Sequence, residues 1–144
     1  MDDLIRQWSE RIRLAAARGQ ALCLRGGGTK HFYGRPEQGE PLDTRDCRGI
    51  INYEPSELVV TVRAGTPLRE LEAELAAQGQ MLAFEPPHFG SGATVGGCVA
   101  AGLAGPRRAA VGGVRDFILG VRMVDGRGEV LRFGGEVMKN VAGY

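Results

Sequence analysis

Apolar positions recur every three to four residues at the start of the chain. Leu4, Ile5, Trp8, Ile12 and Ala15 fall on one face of a helix over residues 2–18, and Gly19 marks its stop. The run at 21–24 then reads as a strand. Residues 31–47 carry Gly34, Pro36, Gly39 and Pro41, and read as irregular chain. Two strands follow, at about 49–52 and 58–64, joined by a turn over 53–57. Thr66-Pro67 signals a helix start, with Thr66 as cap and Pro67 at the first helical position. Leu68, Leu71, Leu75 and Ala76 form that helix's apolar stripe, and Gly79 ends it. A short strand is expected at 81–84, stopped by Pro86-Pro87. Two strands at 117–124 and 129–133 pair as a hairpin around Asp125-Gly126-Arg127-Gly128. The pattern predicts an α+β fold with antiparallel pairs, not the regular alternation of a doubly wound sheet.

Two glycine-rich segments interrupt this pattern. Gly26, Gly27, Gly28, Thr29 and Lys30 follow the first strand. The first segment is neither of two familiar phosphate loops. His31 stands where a dinucleotide-binding fingerprint needs its third glycine, and Thr29 where a P-loop needs glycine before the lysine. Gly34 and Pro36 also forbid the helix both would require. Two readings remain: a turn that needs glycine for its geometry, or a cradle whose amides and Thr29 hydroxyl donate to an anion, with Lys30 at its rim.

The second segment runs from Gly90 to Gly105 and is almost entirely small residues. Its larger members, Val95, Val99 and Leu103, share one helical stripe. Thr94 is placed to cap a helix carrying Gly96 and Gly97 in its first turn, at a cost of about 0.8–1.0 kcal/mol each against Ala. Close packing on a sheet would explain those glycines, and so would an anion on free first-turn amides. Four or five charge-assisted hydrogen bonds at about 1.5–3 kcal/mol each are enough for micromolar affinity, which needs about 8 kcal/mol. Two facing loops can therefore hold a diphosphate without a cluster of cations.

Composition agrees. Lys and Arg number 18 against 17 Asp and Glu, which leaves no basic excess for nucleic acid or an anionic membrane. Gly, at 23 of 144 residues, is about twice its usual share, with no repeat to account for it. Cys23, Cys47 and Cys98 fit no zinc or disulfide spacing, and no metal site is expected. Acids at Asp2 and Asp3, and the lack of any apolar run near 20 residues, predict a cytoplasmic protein. Glu85 and His88 are too sparse for an acid–base pair, so no catalytic residue is assigned. Lys139 and Asn140 are candidates for cofactor or substrate contact, and equally for a turn. Arg107, Arg108 and Arg115 face either phosphate, a partner or solvent. Glu70, Glu72 and Glu74 read as a solvated helix face.

These motifs resemble those of a known family. Arg25-Gly26-Gly27-Gly28-Thr29 after a strand is similar to the first diphosphate loop of the vanillyl-alcohol oxidase-type (PCMH-type) FAD-binding domain. Pro86-Pro87 leading into Gly92-Ala93-Thr94-Val95-Gly96-Gly97 and Ala100-Ala101-Gly102 resembles the second. The stretches 101–108, 132–135 and 137–144 resemble the FAD-binding E subunits of bacterial glycolate oxidases. The resemblance implies two α+β subdomains, about 1–84 and an incomplete 85–144, with FAD between them. Its implied FAD contacts are Gly26, Gly27, Gly28, Thr29, Lys30, Pro86, Gly92, Ala93, Thr94, Val95, Gly96, Gly97, Ala101 and Gly102. Thr29 stands where some members carry a flavin-linking His, which implies non-covalent FAD, with His31 an exposed loop residue. Family members oxidise glycolate to glyoxylate, passing electrons to a quinone-type acceptor, beside a second flavin subunit and an iron–sulfur subunit. Membrane association would then be peripheral and through partners. The alternative is a non-catalytic subunit that uses FAD to relay electrons or to assemble the complex. The family's domain continues past a point equivalent to Tyr144 into a substrate-side domain, so a partial domain, inactive alone, is expected.

Overall fold

A computed structural model describes residues 2–135. Residues 136–144, with Lys139, Asn140 and the whole of the last resembling stretch, lie outside the described residues. Helix α1 spans Asp2–Ala17. Gly19, at φ 61°, closes it: its amide donates to Ala16 O at 3.1 Å and that of Gln20 to Ala15 O at 2.9 Å. These paired bonds satisfy carbonyls left open at the helix end.

Strand β1 (Leu22–Arg25) then pairs in parallel with β2 (Glu40–Asp43). The irregular chain expected over 31–47 therefore contains a strand, and a parallel pair stands beside the expected antiparallel ones. A four-residue strand containing Pro41 carries little strand signal, and the pairing survives because an edge tolerates the missing amide. Strands β3 (Ile50–Glu54) and β4 (Val59–Val62) form an antiparallel pair across a 3₁₀ turn at Pro55–Glu57.

Helix α2 covers Leu68–Ala77. Pro67 rather than Thr66 is its cap residue, and it makes no side-chain cap bond. The Thr66 hydroxyl is instead buried and accepts from Gly49 N at 2.8 Å. Leu68, Leu71 and Leu75 are buried as expected, but Ala76 is exposed. No strand forms at 81–84. A turn closes there through Glu85 N to Leu82 O at 3.1 Å, and Glu85 adopts φ 50°, which breaks an extended path.

Helix α3 (Val95–Ala101), the single turn α4 (Arg108–Val111) and a 3₁₀ turn at Val114–Phe117 lead into the hairpin of β5 (Gly120–Val124) and β6 (Val130–Gly134). Phe117 thus precedes the hairpin instead of opening it. Gly128 lets α1 lie against the hairpin's end. A methyl there would stand 2.5 Å from Ser9 O, and Arg13 donates to Gly128 O at 2.9 Å. Leu68, Phe84, Ala93, Cys98 and Val114 form a buried core, edged by Leu82, Val95, Ala104 and Ile118. That core lies beneath the second glycine segment and draws on both sides of position 84.

Candidate functional site

The two glycine segments, far apart in sequence, are in backbone contact. A methyl group placed on Gly27 would lie 1.4 Å from the Gly92 carbonyl oxygen, and one on Gly26 would lie 2.6 Å from Thr94 Oγ1. Gly90, at φ 125°, brings its chain beside the Thr29 methyl. No side chain fits between these strands of backbone, and that is why glycine stands at 26 and 27. The close approach brings main-chain donors of both segments near one another. Among the described residues, the amides of Gly26, Gly27, Gly28 and Thr29 donate to no acceptor, nor do those of Gly92, Ala93 and Thr94. Ala93 and Thr94 are only 2% and 4% exposed. Gly26 to Thr29 are half-buried and Gly92 is exposed, so the two buried amides without partners, a rarity in folded proteins, sit beside five more accessible ones.

Thr94 caps α3 as the spacing predicted, its hydroxyl accepting from Gly97 N at 3.1 Å. The expectation of free first-turn amides is corrected. Val95 N donates to Thr66 O at 2.9 Å and Gly96 N to Ala64 O at 2.7 Å. Gly96 is glycine because an added methyl would stand 2.8 Å from the Ala64 methyl and 2.9 Å from its carbonyl oxygen. The available donors therefore sit just before the helix. The apolar stripe is also shifted: Cys98 is buried, whereas Val99 is 38% exposed. At the far end of α3, Gly102 adopts φ 63° and closes the helix after Ala101. Pro86 is buried in the approach to the segment.

A polar network supports the first segment from behind. His31 Nε2 lies 3.0 Å from an Arg25 guanidinium nitrogen, and Nδ1 lies 2.6 Å from Glu37 Oε1. This is the pattern of a neutral ring that donates from Nδ1 and accepts at Nε2. The ring sits under Gly28 (φ 68°), where a methyl would be 2.5 Å from Nε2. His31 is exposed as expected, yet both its nitrogens are engaged. The hydrogen bond from His31 holds the Glu37 carboxyl below its usual range, while desolvation and then Glu37 push the Cys23 thiol up. Burial likewise raises the Cys98 and Cys47 thiols.

Other candidates fall away from the cradle. The Arg107 amide donates to Glu85 Oε1 at 3.2 Å and its guanidinium reaches Met81 Sδ at 3.5 Å. Arg115 is solvent-exposed beside Asp116. Glu85 and His88 are engaged separately, because His88 Nε2 pairs with Glu72 Oε2 at 2.8 Å. That pair takes Glu72 out of the solvated face, and Glu70 pairs with Arg48 at 2.9 Å. Sequence reasoning passed over Phe32 and Phe89, whose rings meet edge to face with Lys30 Nζ 5.9 Å from the Phe89 centroid. The signal was present: each glycine segment is flanked by a phenylalanine.

The wider likeness of the chain bears on what such a cradle holds. It is 57% identical over 135 residues to glycolate oxidase subunit GlcE of Escherichia coli, covering 94% of this chain and 39% of that protein. It is 31% identical over 136 residues to a D-lactate dehydrogenase of Archaeoglobus fulgidus, covering 92% and 30%. Among solved structures, Phl p 4.0202, a glucose dehydrogenase, matches at a TM-score of 0.73 and 17% identity over 90% of this chain and 27% of its own, a likeness of fold alone. The chain thus spans less than half the length of each of these relatives. A family model described as an FAD binding domain matches residues 5–134, a span that holds both glycine segments and the core beneath them, and the chain belongs to that FAD-binding family.

Proposed function

We propose that this chain is the FAD-binding part of a flavoprotein that oxidises a 2-hydroxy acid, glycolate to glyoxylate, and passes the electrons to a quinone-type acceptor. The observation that carries the reading is the cluster of partnerless amides where Gly26, Gly27, Gly28 and Thr29 face Gly92, Ala93 and Thr94. They suit the pyrophosphate of FAD, because bare backbone allows close approach and an acceptor-only group can take hydrogen bonds from several amides at once. Lys30 adds positive charge at the rim. Val95, Gly96, Gly97, Ala101 and Gly102 serve by shaping α3 against the cradle, and Pro86 by fixing the chain that enters it. Bound FAD supplies the redox chemistry, and the protein supplies position and electrostatics. With Thr29 in the first loop and both nitrogens of His31 engaged, the cofactor is held without a covalent link.

The substrate class rests on the likeness to GlcE across nearly the whole chain. The word subunit in that name supports a multi-subunit assembly, and we assign this chain a second flavin subunit and an iron–sulfur subunit as partners. No helix among the described residues is long and apolar enough to cross a membrane. Any membrane contact is assigned to those partners, with the chain itself on the cytoplasmic side.

The test is a visible spectrum of the purified chain after incubation with FAD and desalting. Retained bands near about 370 and 450 nm that acid precipitation releases into the supernatant are the expected result for non-covalent flavin. A colourless chain with a native circular-dichroism spectrum would sink the cofactor assignment, and flavin that stays with the precipitate would sink the non-covalent one.

A further inference from the structure

Phe32 and Phe89 are 67% and 51% exposed, although each is large and apolar. Their rings meet with centroids 5.1 Å apart and planes at 69°. Phe32 lies just after the first glycine segment and Phe89 immediately before Gly90, so the ring contact bridges the chain that flanks the two segments. Phe89 also adopts φ 52°, a conformation disfavoured for a bulky residue and ordinarily filled by Gly, Asn or Asp. At 51% exposure the ring is only half covered, which leaves little burial to offset that strain. Strained residues concentrate where a ligand is gripped.

We infer that Phe32 and Phe89 form a stacking clasp for a heteroaromatic ring of the dinucleotide whose diphosphate the adjacent amides hold. The inference deepens the FAD reading above and rests on it. Phe89 is one residue, about 3.8 Å of chain, from Gly90 at the edge of the cradle. A ring joined to the diphosphate through a sugar chain falls within its reach. The edge-to-face arrangement holds one ring by its neighbour and leaves faces open to stack a third. Lys30 Nζ, 5.9 Å from the Phe89 centroid, places a cation beside that ring.

The test compares the unsubstituted chain with a Phe32→Ala/Phe89→Ala double variant and with Phe89→Tyr. FAD, FMN and ADP are titrated directly, and pyrophosphate as a competitor that has no ring. The double variant is expected to bind FAD roughly 5- to 150-fold more weakly, the range of base–aromatic stacking, with pyrophosphate affinity unchanged. Phe89→Tyr, which keeps the π face, retains binding. Selective weakening of FMN identifies the flavin as the stacked ring, and of ADP the adenine. If the double variant fails to fold, Phe32→Leu and Phe89→Leu keep apolar bulk without a π face and carry the same comparison. Unchanged FAD affinity, or an equal loss of FAD and pyrophosphate, overturns the clasp. An unsubstituted chain that binds pyrophosphate but not FAD brings down the cofactor reading, and the clasp with it.

Discussion

Individual glycines here have unlike jobs. Gly27 is packed into the Gly92 carbonyl, whereas a methyl on Gly126, in the hairpin turn, would meet nothing within 4 Å. Gly27→Ala should therefore part the two segments, lowering the melting temperature and abolishing FAD retention together. Gly126→Ala should be neutral, or stabilising by up to about 1 kcal/mol through reduced freedom of the unfolded chain. Paired thermal melts check both, and a Gly27→Ala protein that melts like the parent would refute the contact. Sequence alone marked the glycine clusters but could not rank their members. The decisive neighbour of Gly27 is Gly92, far along the chain. Thr94 was legible as a cap because its partner lies three residues away, while Thr66 was misread because its true partner is the backbone of Gly49.

Elements follow the same rule of distance. Helices α1 and α2 were read nearly to their ends, because period and stop glycine are local. Strand β2 was invisible: four residues with Pro41 exist as a strand only because β1 lies beside them. Its last residue carries a pH dependence of its own, through a bond to Arg45 just past the strand. Hydrogen bonds from Arg45 hold the Asp43 carboxyl down at about 2. A value depressed in the folded state adds stability that is complete above the unfolded value of about 3.9 and is lost as pH falls toward 2. Asp43→Asn should thus destabilise the chain at pH 6 and matter progressively less below about pH 4. Urea melts across that range measure it, and a gap that widens on acidification would disprove the assignment.

Across the whole molecule, the described strands pair only in twos, and one modest core gathers beneath the second glycine segment. The α+β class was legible in the sequence. The meeting of the segments was not, since no periodicity encodes a contact between loops. The hairpin shows what this architecture leaves uncovered. Val121 opposes Phe133 and Met123 opposes Leu131, so one face is wholly apolar, with Val121, Met123 and Phe133 at 39%, 44% and 56% exposure. Contiguous apolar surface of this kind promotes association. Met123→Lys with Phe133→Lys should suppress concentration-dependent light scattering while shifting stability by no more than about 0.5 kcal/mol. Scattering that is unchanged would show that the face does not drive self-association.

The contact between Gly27 and Gly92 also joins binding to folding. The amides that would grip the cofactor come into register only when two remote stretches of chain have closed on each other, so the unfolded chain has no comparable site. Whatever fills the cradle then acts as a thermodynamic tether across that closure. At one hundred times its dissociation constant such a ligand adds about 2.7 kcal/mol of stability. In a cell, the supply of cofactor would set how much of the newly made protein survives.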